Sequence, residues 1–378
     1  MGKRPLLLVS ANSAWNLVNF RLGLLNALIE NGFALATAAP PDPESECMLR
    51  SIGCTIHHIA IDPKGLSPLK DLATIRAYWH LMRKLKPAAY LGWTIKPNIY
   101  GALAARLAGI PSLLNVSGLG TAFLGKSILQ ATATTMYRIG FARADTVFFQ
   151  NRSDRDIFFD RRLVRFDQAV LIPGSGIDVK KYKPSDNPRG SGNRFLMIAR
   201  LLGDKGVREY VEAAQMVRKT NPQCSFGLLG FVGVENRTAI SRQDLDAWIA
   251  SAIIDYNPPV SDVRPAIEKA DCIVLPSYRE GTSRVLLEAA AMGKPLIATN
   301  VPGCREIVED GVNGFLCKAR DSASLTEAMG RFIRLSDEKK RSMGQAGRAK
   351  IVAEFSEQRV IVAYLKSLSA ALDNRPVI

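Results

Sequence analysis

The chain has 378 residues, 47% hydrophobic and 22% charged, enough for two or three domains with full cores. No apolar run reaches the roughly eighteen residues a membrane span needs, so a membrane-embedded protein is excluded as the first reading. The six cysteines form no CxxC pair and the three histidines have no partner at ligand spacing, which argues against a zinc site and for a reducing, cytoplasmic setting.

The elements alternate from the start. RPLLLVS reads as a buried first strand, since polar SANS interrupts the apolar run too early for a signal peptide. FRLGLLNALIENG is a helix with a glycine stop, and FALATAA and CTIHHIAI are strands. Next comes LKDLATIRAYWHLMRKLKP, a helix with Leu72, Ile75, Trp79 and Met82 on one face. It lies in a basic block, residues 64–106, where Lys64, Lys70, Arg76, Arg83, Lys84, Lys86, Lys96 and Arg106 stand against Asp71. With a net charge of +15, such a block attracts polyanions. An anionic membrane surface fits better than nucleic acid, because no groove-reading or RNA-recognition motif accompanies the charge. A merely solvated basic edge remains the plainer alternative.

AAYLGWT, NIYGALAARLAG, PSLLNVSG, TVFFQ and AVLIPG continue the strand and helix alternation, which argues for a parallel sheet with crossover helices. The stretch 179–193, rich in Pro, Gly and charge, reads as a linker between a domain at 1–178 and a second at 194–355. A C-terminal helix at 356–378 is expected to pack back toward the first domain. The second domain repeats the alternation from RFLMIAR to NGFLC. Two α/β sheets of similar size imply a ligand cleft where strand C-termini meet.

Two loops of the second domain carry chemistry. Arg200 leaves a strand end and Lys205 precedes the next helix, with Gly203 and Gly206 allowing a tight loop: a diphosphate clamp, or a basic surface loop. In PSYREGTSRVLLEAAAMG (276–293), Glu280 and Gly281 lead into a helix opening at Thr282 or Ser283, and Glu288 follows eight positions later. Were the span wholly helical it would rise roughly 12 Å, matching a sugar–diphosphate–ribose ligand with backbone N–H groups at 282–284 facing its charge. Two solvent-facing glutamates are the bland reading. Asp154–Arg155–Asp156 matches a metal-binding DxD on paper, but Ser153 reads as an N-cap with both aspartates in the first helical turn.

The Arg200–Lys205–Gly206 loop, the Glu280-x7-Glu288 spacing and PGCREIVEDGVNGFL (302–316) together resemble family 4 retaining glycosyltransferases of GT-B fold, over nearly the whole chain. SANSAWNLVNFRLGLLNAL and the loop NVSGLGTAF (115–123) are similar to a bacterial subgroup that builds lipid-linked surface glycans. The resemblance implies an α/β protein with two Rossmann-like domains facing each other across a cleft. It implies transfer of a sugar, an N-acetylhexosamine such as GalNAc or GlcNAc, from a UDP-sugar to an undecaprenyl-diphosphate type acceptor. Configuration would be retained and neither metal nor cofactor used, on the inner face of the cell membrane.

By position, Arg200 and Lys205 would neutralise the pyrophosphate, Glu280 would bind the donor sugar, and Gly281, Thr282 and Ser283 would approach phosphates or sugar. Glu288 would hold the ribose, while Glu306 has a weaker claim and would stabilise its loop. On the acceptor side stand Asn12, Trp15, Asn19, Arg21, Ser117 and Gly118. Of these, Arg21 reads either as a diphosphate contact or as a helix-start surface residue, with Asn19 beside it at the start of the first helix. The chain departs from the family at Ala11–Asn12–Ser13, which lacks the usual paired glycines, and at 115–118, which lacks a histidine. It departs again at Asn257–Pro258–Pro259, near the base, and mildly at Ser283, where proline is common. The alternatives are a GT-B nucleotide-sugar 2-epimerase, a metal-dependent transferase and a basic nucleic-acid-binding protein.

Overall fold

The computed structural model describes residues 4–62, 67–119, 128–185, 193–233, 236 and 238–373, with backbone alone at 128–133. Lys64, the end of the 115–123 loop, residues 186–192 of the 179–193 stretch and the last five residues lie outside that set. Two units divide the chain: unit 1 is Met1–Ser175 with Glu357–Ile378, and unit 2 is Gly176–Ser356.

Unit 1 runs β1 (Leu6–Ser10), α1 (Ala14–Glu30), β2 (Ala34–Ala39), α2 (Pro43–Ser51), β3 (Thr55–His58), α3 (Pro68–Leu85), β4 (Ala89–Trp93), α4 (Ala102–Ala108), β5 (Ser112–Val116), α5 (Ile128–Phe141), β6 (Thr146–Phe149), α6 (Arg152–Asp160) and β7 (Ala169–Leu171). The strands form one sheet in the order β3-β2-β1-β4-β5-β6-β7, every ladder parallel. Alternate residues of β1 enter different cores: Leu7 and Val9 pack toward α1, Leu8 toward the Tyr78, Tyr90 and Phe141 side. That is the period-two pattern of a strand covered on both faces. The order reverses between β1 and β4, a topological switch point.

Two details of unit 1 differ from the sequence reading. Helix α1 starts at Ala14, because the Ser13 hydroxyl accepts the Asn16 N–H at 3.3 Å and caps it. Asn19 and Arg21 therefore lie in its second turn. The packed face of α3 is Asp71, Thr74, Tyr78 and Met82: of the expected Leu72, Ile75, Trp79 and Met82, Met82 is buried and Ile75 and Trp79 are half-buried, so the face is turned one step round. Polar anchors decide this: Tyr78 meets the Ser10 hydroxyl at 2.6 Å, and Thr74 donates to the Ala60 carbonyl at 3.0 Å. Leu72 is left 63% exposed.

Unit 2 runs β8 (Arg194–Ile198), α7 (Val207–Thr220), β9 (Ser225–Leu229), α8 (Arg242–Ala250), β10 (Asp255–Asn257), α9 (Arg264–Lys269), β11 (Cys272–Leu275), α10 (Arg284–Ala291), β12 (Leu296–Thr299), β13 (Gly314–Cys317), α11 (Ser322–Ile333) and α12 (Asp337–Glu354). Its sheet is ordered β10-β9-β8-β11-β12-β13 and again all parallel. The switch point lies between β8 and β11. Residues 176–182, read as the end of one domain and part of a linker, belong to unit 2. The Arg348 guanidinium holds them by donating to the Tyr182 and Val179 carbonyls.

The last helix, α13 (Glu357–Asp373), belongs to unit 1. Val360, Ile361, Tyr364 and Leu368 enter the core beside α1.

Candidate active site

At the unit 2 switch point the loops after β8 and β11 are bound to each other. The first makes a 3-10 turn, Gly203–Lys205, and passes into α7 through Gly206 at φ 77°. A Cβ at Gly206 would lie 2.1 Å from the Pro276 carbonyl oxygen, so both the positive φ and the close approach require glycine. Tyr278 N–H donates to the Asp204 carbonyl at 2.9 Å, completing the junction. It brings Lys205 Nζ to 2.5 Å from Glu280 Oε1, with 21% and 14% of the two side chains exposed.

The PGCRE loop clamps Glu280 from the other side. Glu280 N–H donates to the Pro302 carbonyl and Ser283 N–H to the Gly303 carbonyl, both at 3.1 Å. Gly303 sits at φ 83°, and a Cβ there would lie 2.5 Å from the Glu280 carbonyl oxygen. Its N–H is taken by Glu306 Oε2 at 2.6 Å, so Glu306 braces the loop. Beneath lies Cys304, whose thiol is pushed well above its usual range by burial first and then by the Glu280 carboxylate.

Helix α10 opens one residue beyond Ser283, whose hydroxyl caps the Leu286 N–H. Glu280 is thus on a loop, and the wholly helical span does not hold. Since the Ser283 N–H is already donated to Gly303, it does not face a ligand as expected; Gly281 and Thr282 are half-buried in the loop. Glu288 is buried and engaged: Arg284 Nε lies 2.9 Å from its Oε1, while Arg284 Nη1 donates to the Gly176 carbonyl at 2.9 Å. Burial disfavours the Arg284 charge, but Glu288 more than offsets it and the pKa rises. The adjacent Tyr182 phenol is pushed up to about 12 by burial and then by Glu288. Arg284 was missed in the sequence, although its i,i+4 spacing to Glu288 is a readable pairing signal. Arg200 is exposed, and its guanidinium has no partner among the described residues.

The acceptor-side candidates gather less tightly. Asn12 N–H donates to Thr94 Oγ1 at 3.1 Å, tying the β1 and β4 loops at the unit 1 switch point. Thr94 itself holds φ 68°, a costly conformation for a β-branched residue. Trp15 is half exposed and meets Phe20 edge-on; Asn19 donates to the Trp15 carbonyl at 3.0 Å. Arg21 is not a surface residue: it is buried, its guanidinium 5.6 Å from the Trp93 ring centroid. Ser117 donates to Asn115 Oδ1 at 3.0 Å, and Gly118 adopts φ 132°.

Sequence reasoning also missed a buried network under these residues. The Tyr364 hydroxyl accepts from Trp93 Nε1 at 2.9 Å and Asn115 Nδ2 at 3.0 Å, and Gln150 donates to Asn115 Oδ1 at 3.3 Å. Tyr364 reaches it from 271 residues beyond Trp93, a separation no local pattern reports. The helix-start reading of Asp154–Arg155–Asp156 needs correcting in detail, with only Asp154 in the first turn. Asn151, not Ser153, caps α6, and Asp154 is buried against it while Asp156 pairs outward with Arg155.

Two parallel-sheet α/β units, with cations and a carboxylate at a strand-end switch point, define a protein of GT-B fold. Family models for "Glycosyl transferases group 1" and "Glycosyl transferase 4-like domain" match residues 178–350 and 19–174. The chain belongs to these family 4 retaining glycosyltransferases, and it is a hexosyltransferase. It is 26% identical, over 95% of its length and 97% of the relative, to the N,N'-diacetylbacillosaminyl-diphospho-undecaprenol alpha-1,3-N-acetylgalactosaminyltransferase of Campylobacter jejuni. It is also 26% identical to the UDP-Gal:alpha-D-GlcNAc-diphosphoundecaprenol alpha-1,3-galactosyltransferase of Escherichia coli, over 78% of each chain. Among solved structures, Anabaena Alr3699/HepE in complex with UDP and glucose superposes with a TM-score of 0.80 at 18% identity, over 97% of this chain and 100% of that one.

Proposed function

We propose that the protein moves a hexosyl or N-acetylhexosaminyl group from a UDP-sugar to a glycan carried on a polyprenyl diphosphate, with retention and without a metal ion. The observation that carries this is the Lys205–Glu280 pair at the β8/β11 switch point. A diphosphate arriving beside Lys205 and the exposed Arg200 draws the lysine toward itself and frees Glu280 to accept hydrogen bonds from sugar hydroxyls. As the bond from the anomeric carbon to phosphate breaks, the two cations stabilise the departing charge. The acceptor hydroxyl attacks from the same face, and its proton passes to the leaving phosphate oxygen. Ribose hydroxyls are assigned to Glu288, with Arg284 holding that carboxylate in place.

The relatives support the substrate class, because both act on diphospho-undecaprenol acceptors by name. The decisive test is a panel of UDP-sugars in EDTA, scored for slow hydrolysis alone and for transfer onto a polyprenyl-diphosphate-linked glycan. One UDP-sugar is expected to turn over and to tolerate EDTA. A 2-epimerised product, or activity abolished by EDTA, rejects the reading. The protein is further assigned to the cytoplasmic membrane face through the basic 64–106 block. The double variant Lys84→Glu/Lys86→Glu should then sediment less with anionic vesicles, and unchanged sedimentation defeats that assignment.

A further inference from the structure

Unit 1 contains an apolar pocket of about 430 Å³, within the size range of small-ligand sites. Leu72 and Ile75 of α3, Ile99 and Leu103 around the start of α4, and Met136 and Ile139 of α5 line it. Among the described residues Asp71 is the one charged residue in the lining, and it is occupied: Lys96 Nζ lies 2.9 Å away and Ser67 N–H donates to it at 3.2 Å. Leu72 and Ile139 remain 63% and 49% exposed, so the apolar surface continues to the mouth. Monomers seldom leave such patches without a use.

Position and charge indicate the occupant. Leu72 and Ile75 lie in the second turn of α3 and Leu103 in the first turn of α4, the helices that follow β3 and β4, toward the strand-end side where ligands of parallel sheets bind. Ile99 and Tyr100 lie in a π-helical turn, Pro97–Gly101, an irregularity found mostly at functional sites. The loop from Thr94 to Lys96 is shared: Asn12 is bonded to Thr94 at the switch point, and Lys96 is paired at the pocket. Lys70, Arg76 and Arg106 are exposed on the same helices. An apolar slot beside cations at the acceptor-side switch point matches a molecule that joins an isoprenoid chain to a diphosphate.

We infer that this pocket holds the first isoprenoid units of the acceptor's polyprenyl chain, setting its diphosphate toward the Asn12–Thr94 loop. The inference rests on the lipid-linked acceptor proposed above. A pocket open to one chain would select acceptors by their lipid as well as by their glycan.

The test uses the full-length protein in detergent with Leu72→Gln, which makes the mouth polar, and Ile139→Trp, which fills it. Both positions are partly exposed, so folding is retained. For a long-chain polyprenyl acceptor, KM should rise about tenfold, the scale of one apolar side chain's burial. KM for the UDP-sugar, and for the same glycan diphosphate on a short alkyl tail, should stay at the wild-type value. Equal changes with both tails, or none with either, overturn the inference. So does a loss confined to vesicle sedimentation, which would make the pocket a bilayer contact. A fluorescent isoprenyl diphosphate lacking any glycan separates the two ideas. If no acceptor is glycosylated yet the probe binds wild type about tenfold tighter than either variant, the pocket stands and the transfer reading falls. If glycosylation proceeds and the probe does not discriminate, the pocket falls alone.

Discussion

The two units have the same kind of sheet and a switch point each, yet they equip it differently. In unit 2 the β8 and β11 loops present charges, Lys205 against Glu280 with Arg200 exposed, and α10 adds Glu288 held by Arg284. In unit 1 the corresponding strand ends rest on Trp93, Asn115 and Tyr364, a buried aromatic and amide network with one enclosed cation, Arg21. A diphosphate is recognised by charge, which a few side chains supply at fixed spacing. A bulky acceptor is recognised by shape, which needs many residues from distant parts of the chain. The contrast predicts that unit 2 variants change chemistry and unit 1 variants change stability and acceptor fit.

The largest effect is expected for Glu280→Gln. Turnover should fall about 10²-fold or more, the scale for losing one group aimed at the reacting centre. UDP should bind somewhat more tightly, because Lys205 loses its internal partner; titration calorimetry reads this directly. Weaker UDP binding would contradict the Lys205–Glu280 competition. Lys205→Ala should weaken UDP binding itself by about 1.5–3 kcal/mol, as for a charge-assisted hydrogen bond. Transfer kinetics should fall with it.

Tyr364→Phe should act in the opposite way. It leaves Trp93 Nε1 and Asn115 Nδ2 buried without their acceptor, at a cost of about 1–3 kcal/mol in unit 1. Denaturant unfolding should show that loss, with UDP affinity untouched and acceptor KM raised. A fall in UDP affinity of the same size would dissolve the distinction between the units.

The smallest effect is alkaline. Burial pushes up the Tyr78, Tyr90, Tyr100, Tyr137 and Tyr364 phenols of unit 1, against Tyr182, Tyr210 and Tyr278 of unit 2. The unfolded chain ionises near the ordinary value of about 10, so it releases these protons first and stability falls as pH rises past that point. Unit 1 should lose more. Tryptophan fluorescence can follow this, with Trp248→Phe removing the unit 2 signal. Equal losses would show that the tyrosines do not set the difference.

Much of the candidate site in unit 2 was legible because it is local. Arg200 with Lys205, Glu280 with Ser283, and Gly303 with Glu306 each lie within a few residues, and the glycines mark the positive φ values at 206 and 303. Errors came where a choice between adjacent residues depended on a remote partner. Helix α3 turned toward Tyr78 because Ser10 waits on β1. Trp93, Gln150 and Tyr364 gave no signal, since their hydrogen bonds cross 35 to 271 positions.

The sequence by itself determined the alternating α/β plan, the second domain's cation and carboxylate loops, and the family they belong to. These follow from periodicity and from spacings short enough for the backbone to preserve. Tertiary structure alone decided which carboxylate pairs with which cation, which face of α3 is buried, and that α13 supplies a hydroxyl to the buried Trp93–Asn115 network. Such choices depend on hydrogen-bond partners and packing volumes that exist only once the strands are laid side by side.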